Sequence, residues 1–453
     1  MDENIELTLA LVLILLGVIN SIISFKSPER VTLGDINFIV ISFFFGLSPF
    51  ITLANGGILY EARTEIFLLA YGSVFCYLFG VKLFQWLFYK EGDNRELSYV
   101  LKRIAQPDKL NTKSLFIFFL ILFSIKVTIK AAYGFSSYGG AGKEAFLSIP
   151  YYWIVFLFFV DLFLFAFYLI SISVLFSNGS SHNKIYLYLI IIVLFITNYT
   201  SRSLFIIYGQ VAFIALILIK SNIKVKYLVL FSIVGIVFYS FVFPFLFGLR
   251  YSHKELSTEE KRNYISAYQK AIERGSEKDM ELIQRKSTQN LGRRAYFMYQ
   301  FLKVVEHSEG NFMNGDLLIN NFIQVIPRFL YPDKVNIISG AESYIIEKYQ
   351  MNERDFNDNL PLYGYVEFGL IGAFLVGFCF AGILTLFLKI AVKFKLNYLF
   401  TSIIIFVPIK LALSAENHFI NVFATLRECL ILLIIYFLLI KLFPKKGIIH
   451  LFR

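Results

Sequence analysis

The sequence predicts an all-α polytopic membrane protein with about eleven transmembrane helices and one large, partly helical extracytoplasmic loop. Three observations carry this. The 453 residues are 57% hydrophobic and only 17% charged, with a mean hydropathy of +0.65, a balance that soluble domains do not reach. The apolar residues fall in long unalternating runs, and lipid admits only helices or a closed barrel, so the runs select helices. Lysine and arginine are also distributed unequally between alternate loops.

Runs of about 20 apolar residues cross a bilayer core. They place spans near 7–25, 36–54, 66–89, 114–134, 150–176, 185–198, 203–219, 225–248, 365–388, 396–412 and 424–443. The first run follows Asp2, Glu3 and Glu6 with no cation and no small-residue cleavage pattern, so it is expected to be a retained span and not a signal peptide. One set of loops, together with the C-terminal tail, holds 19 Lys and Arg residues, and the short loops of the opposite set hold 5: Arg63, Lys143, Arg202, Lys410 and Arg427. Cations resist translocation, so the first set is cytoplasmic, while the N-terminus and the 249–363 loop lie outside. Three regions follow: helices one to eight over 1–248, the loop over 249–363, and helices nine to eleven with a short cytoplasmic tail over 364–453.

The loop contains 16 basic and 16 acidic side chains, so the net charge of +11 arises elsewhere. That charge is read as topology and attraction to anionic lipid, not as a nucleic-acid surface. Within the loop, 255–274 and 280–308 are helix candidates, the latter ending before Gly310, and 316–326 is an amphipathic turn or two stopped by Pro327. Tyr296, Phe297, Tyr299, Phe301, Leu302, Phe322, Phe329, Leu330 and Tyr331 are expected to form an apolar layer there.

Several charges fall where chemistry or pairing must explain them. The stretch 185–220 is too short for two full spans; at ~1.5 Å per residue its first half reaches roughly 21 Å against a core of about 30 Å. Arg202 is therefore recessed, either as a phosphate or sugar clamp or as an arginine snorkelling to headgroups. Lys126 and Lys130 lie one turn apart, and Asp161 sits at similar depth on the next span. An intramembrane Lys126–Asp161 pair is the preferred reading over direct binding of an anionic lipid head. Glu367, just after the Pro361-Leu362-Tyr363-Gly364 helix entry, is a general base or sugar ligand, or else an interfacial carboxylate paired to a cation. Gly369, Ala373, Gly377 and Ala381 recur every four residues as a packing ridge.

Arg293, Arg294, Arg328 and Lys334 lie in the loop, where arginine's planar fork suits phosphate oxygens and an ion-pair role is the alternative. His418 in the last outer loop is a base or a structural histidine. Cys76, Cys379 and Cys429 lie far apart without metal-ligand spacing. No metal-ligand constellation, Walker-type loop, GxSxG or dinucleotide fingerprint occurs, which disfavours a metalloenzyme, an ATPase or a serine hydrolase.

Two local patterns complete the layout. Thr200-Ser201-Arg202 opens a helix after a very short turn. Ile326-Pro327-Arg328-Phe329-Leu330-Tyr331-Pro332-Asp333-Lys334 is followed about 30 residues on by Tyr363-Gly364-Tyr365-Val366-Glu367-Phe368-Gly369-Leu370-Ile371-Gly372. With the large outer loop before the last three spans, this resembles the Wzy-type O-antigen and oligosaccharide repeat-unit polymerases of bacterial membranes. The arginine, ten residues, glycine pattern of some members does not follow Arg202, Arg294 or Arg328.

The resemblance implies a GT-C-like membrane glycosyltransferase, metal-independent and without a cofactor, in the bacterial cytoplasmic (inner) membrane. Its substrates would be undecaprenyl-diphosphate-linked oligosaccharides, joined into O-antigen lipopolysaccharide or capsule. Membrane lipids are further partners, a chain-length regulator is one the resemblance allows, and nucleic acid is not expected. Arg202, Arg293, Arg294, Arg328 and Lys334 would bind pyrophosphate and saccharide, with Glu367 and His418 as catalytic bases. The alternatives are an O-antigen ligase, which usually has more outer-loop histidines, and a flippase or transporter for lipid-linked oligosaccharide.

Overall fold

The computed structural model describes residues 2–27, 31–54, 59–88, 96–105, 111–132, 150–177, 184–197, 202–220, 269–270, 273, 297–327, 330–331, 341–351, 359–393 and 398–442. The expected span 225–248 and most of the 249–363 loop lie outside them, as do Arg293, Arg294, Arg328, Lys334 and the side chain of Arg202.

The described residues form helices and no strands. In chain order these are α1 (Asp2–Lys26), α2 (Leu33–Ala54), α3 (Thr64–Phe88), α4 (Glu96–Ala105), α5 (Thr112–Ala132), α6 (Tyr151–Phe176), α7 (Lys184–Thr197) and α8 (Arg202–Lys220). They continue with α9 (Phe297–Ser308), α10 (Asp316–Val325), α11 (Ala341–Lys348), α12 (Leu360–Lys393), α13 (Tyr398–Leu413) and α14 (Phe419–Leu442). Seven of them, α1, α2, α3, α5, α6, α12 and α14, are long and apolar enough to cross a membrane, and α7, α8 and α13 are shorter apolar helices. Leu11, Leu15, Ile19 and Ile23 on α1 and Leu430, Ile434 and Leu438 on α14 are exposed. Such faces need lipid as solvent. The chain is a polytopic α-helical membrane protein.

The chain divides into two compact units. The first contains α1–α3, α9–α12 and α14, and its centre is the contact of α3 with α12. A β-carbon on Gly377 would lie 2.1 Å from the Tyr77 carbonyl oxygen, and one on Gly80 would lie 2.3 Å from that of Phe374. Glycine at both positions lets the two backbones touch, as small residues do between membrane helices. Ala373 and Ala381 are buried on the same helix, so the expected ridge is present from 373 to 381. Gly369 has a different job. At φ 65° and ψ −145° it breaks α12, together with Phe368; no residue with a side chain adopts that conformation without strain.

At the other end of this unit Thr32 and Asp35 cap α2. Thr32 N–H and Oγ1 donate to Asp35 Oδ2 at 3.0 and 2.8 Å, and Asp35 N–H donates to Thr32 Oγ1 at 3.0 Å. Lys82 of α3 donates to Asp35 Oδ1 and, at 2.6 Å, to Asn20 of α1. Deeper in, Tyr77 donates to Asn37 of α2 at 2.9 Å, and Asn37 donates to the Ala412 carbonyl at 3.3 Å.

The second unit contains α5–α8, and α4 and α13 have residues in both units. Phe165 stacks on Phe406 at 4.7 Å, and Tyr168 donates to the Tyr208 carbonyl at 2.6 Å. Leu97, Val100, Leu101 and Ile104 of α4 are all buried, the spacing of an amphipathic helix where the sequence reading assigned only a cationic loop. The expected Lys126–Asp161 pair joins α5 to α6, with Nζ and Oδ1 2.5 Å apart. Removing one partner strands a charge at that depth, so Lys126→Met is expected to cost roughly 2–3 kcal/mol. Lys126→Met with Asp161→Leu should recover most of the loss in a double-mutant cycle of thermal unfolding; additive losses would show that the pair is not coupled.

Candidate functional site

The break in α12 builds the site. A continuous helix would direct the carbonyls of Val366 and Glu367 to the amides four residues on. The non-helical Phe368 and Gly369 free both, and a turn from the 309–318 segment takes them: Met313 N–H donates to the Val366 carbonyl at 2.9 Å and Asn314 N–H to that of Glu367 at 3.0 Å. Phe312 lies over Gly369, its ring carbons 2.8–3.3 Å from where a β-carbon would stand. The break is closed tightly enough that a β-carbon on Gly372 would meet the Gly364 carbonyl oxygen at 2.1 Å. Upstream, buried Asn359 accepts Leu362 N–H at 2.9 Å and starts the helix beside Pro361.

The same segment starts α10. Its N-cap is Gly315, at φ 101°, with no side chain to satisfy the first amides. Glu367 supplies the missing cap from α12: one carboxylate oxygen accepts Gly315 N–H at 2.5 Å and the other accepts Leu318 N–H. Glu367 is 1% exposed. At the far end Arg427 of α14 donates to the Val325 carbonyl at 2.5 Å and to Glu428 at 3.2 Å. A carboxylate at the N-terminus and a guanidinium at the C-terminus both complement the helix dipole. α10 is therefore held at both ends by charged side chains of membrane-crossing helices, and it runs directly into Pro327.

Beneath this clamp lies an apolar cavity of about 180 Å³, whose lining includes Leu318, Phe368, Leu375, Val376, Phe380 and Phe423.

Of the residues singled out in the sequence, the structure gathers Glu367 with the α10 segment. It places Glu367 among backbone amides, a geometry suited to positioning, with no oxygen turned to solvent. His418 precedes α14, where its Nδ1 accepts Asn421 N–H at 3.3 Å. Burial pulls its pKa down to about 4. The imidazole is therefore neutral near pH 7, with Nδ1 turned to the start of α14. Arg202 opens α8 as expected; its side chain and the other proposed cations fall outside the described residues.

The expected aromatic layer of the loop divides. Phe297, Phe301 and Leu302 are buried. Phe297 meets Phe44 of α2 at 4.1 Å, and Ser48 of α2 accepts Met298 N–H at 3.3 Å, satisfying an amide in the first turn of α9. Phe322 and Leu330 are exposed instead, because the crossing helices, and not a separate loop core, supply the partners for α9.

Sequence reading missed the Lys82–Asp35–Asn20 cluster and the Arg427 clamp. Thr32-x-x-Asp35 is a capping-box spacing, and Lys82 interrupts an apolar run, so the first was signalled. The second required knowing which carbonyl lay within reach.

The state of His418 carries a pH signature. The unfolded imidazole binds a proton near pH 6.5 and the folded one only near 4, so stability is complete above pH 6.5 and falls as the pH drops towards 4. The loss contributed by this group is up to about 3 kcal/mol. His418→Asn retains a cap acceptor without titrating, and its unfolding curve should lack that part of the slope; an unchanged slope would assign it to other groups.

No family model matches the chain, and neither does any curated protein or solved structure.

Proposed function

We propose that this protein is a membrane glycosyltransferase that polymerises undecaprenyl-diphosphate-linked oligosaccharide repeats on the outer face of the bacterial cytoplasmic membrane. In this reading the chain crosses eleven times, with the N-terminus and the 249–363 loop outside and the C-terminus inside, as the unequal distribution of Lys and Arg suggests. The observation that carries the reading is the join between the two motifs on which the resemblance rests. Glu367 of the aromatic-Glu-Phe-Gly-x-x-Gly entry caps α10, and α10 leads into the Pro327-Arg328 segment. The helix entry that carries Glu367 thus packs on α10, which ends in the sequence where the arginine segment begins.

The reaction forms a bond between an acceptor hydroxyl oxygen and the anomeric carbon of the donor chain. It breaks the bond from that carbon to the pyrophosphate oxygen. The hydroxyl proton passes to water at the outer face, and negative charge collects on undecaprenyl diphosphate. Fixed cations at the leaving group supply the stabilisation such a step needs. Arg202, Arg293, Arg294, Arg328 and Lys334 are assigned that role. With both Glu367 oxygens and His418 Nδ1 already engaged, catalysis in this proposal rests on the cations, and Glu367 acts as a positioning residue.

Deleting the gene in its host and resolving surface lipopolysaccharide or capsule on a gel tests this. A product with a single repeat unit is expected. Loss of all surface repeats, with lipid-linked material accumulating, would favour a ligase or a flippase, and the membrane face holding that material would separate the two.

A further inference from the structure

We infer that the exposed face of α10, Leu318, Ile319 and Phe322, is inserted among lipid acyl chains. The inference does not depend on the polymerase reading. At ten residues and ~1.5 Å each, α10 is too short to cross a bilayer. Yet Ile319 and Phe322 are each 56% exposed and Leu318 38%, a largely open apolar face on a helix that also buries Leu317, Asn321 and Val325.

Two independent observations identify the solvent of that face as lipid. The first is depth. Leu318 lines the same cavity as Leu375, Val376 and Ile383, which lie well inside the crossing helix α12. Phe322 packs edge-on against Phe423 of α14 at 5.8 Å, and Arg427, one turn further into α14, reaches the last turn of α10. The exposed face of α10 is therefore continuous with the sides of two crossing helices and does not stand above them. The second is the treatment of the helix ends. In water, free amides and carbonyls at helix termini are satisfied by solvent; in a water-poor layer they need partners from the protein. Glu367 and Arg427 supply partners at both ends. On the polar flank, Gln324 donates to Asn320 at 3.2 Å. A helix with an apolar outer face, capped ends and flanking crossing helices fits a short helix embedded in lipid beside them.

The test uses the full-length protein with Trp86→Phe and Trp153→Phe and a single new tryptophan, Ile319→Trp, reconstituted into phosphatidylcholine vesicles. Vesicles whose acyl chains carry bromine are expected to quench most of the emission, while aqueous iodide leaves it unchanged. Phe322→Trp, a conservative aromatic exchange on the same face, provides a second reading if the first variant does not fold. Quenching by iodide and not by brominated lipid would put the face in water and overturn the inference. Quenching by neither would mean that protein covers it, such as a second copy of the chain, and would overturn it equally.

Discussion

Gly377→Ala is expected to disrupt the contact of α3 with α12 severely. The new β-carbon would lie 2.1 Å from the carbonyl oxygen of Tyr77, and the mirror change, Gly80→Ala, would place one 2.3 Å from the carbonyl of Phe374. In both cases the obstacle is backbone, so no rotamer change relieves it and the two helices must separate. Overpacking of this kind costs about 3 kcal/mol or more, a large share of the stability of a typical domain. Separation also opens the contacts of Phe374 and Phe378 with Phe79, Phe84 and Phe88. Thermal unfolding in detergent checks the effect. Gly209→Ala is the control, since no described atom lies within 4 Å of its β-carbon position and alanine improves helix propensity there. A Gly377→Ala protein as stable as the parent would refute the close contact.

Glu367→Ala should produce the second largest effect, confined to one segment. It removes both acceptors from the start of α10 and leaves the Gly315 and Leu318 amides without partners. Hydrogen bonds to a charged group are worth about 1.5–3 kcal/mol each, and the dipole contribution disappears with them, so a total near 3 kcal/mol is expected after partial relaxation. Hydrogen exchange of 309–327 should accelerate strongly while the contact of α3 with α12 stays protected. Glu367→Gln, which keeps one acceptor oxygen, should fall between the two. Unchanged exchange in 309–327 would mean that the cap is not what holds α10. Because α10 leads in sequence into the proposed arginine segment, polymer formation should fall in step with protection; a general base would instead lose activity in Glu367→Gln far beyond its partial loss of protection.

The crossing helices were legible because their signal is local: a bilayer demands a long apolar run, and the sequence displays it. The Lys126–Asp161 pair was legible for a related reason, since few charges occur at that depth and they must find each other. The short α10 was also readable, from its amphipathic spacing and Pro327. The break in α12 was not. Gly369 read as one more member of a four-residue ridge, and only the turn at 313–315, some 50 residues away in sequence, gives its positive φ a purpose. The cap that Glu367 provides was hidden in the same way, because the sequence does not show which amides surround a carboxylate near a helix entry. Phe322 was assigned to an apolar layer of the loop and is exposed instead, because hydrophobicity alone does not say what covers an apolar side chain.

The central claim is bond formation between lipid-linked repeats, and the most direct test is to supply them. The purified protein in vesicles receives undecaprenyl-diphosphate-linked repeat units, without nucleotide sugar and with a metal chelator present. The account predicts a ladder of saccharides two or more repeats long, with undecaprenyl diphosphate released for each linkage formed. Repeat units recovered at their original length, whether left in place or moved across the bilayer, would contradict it.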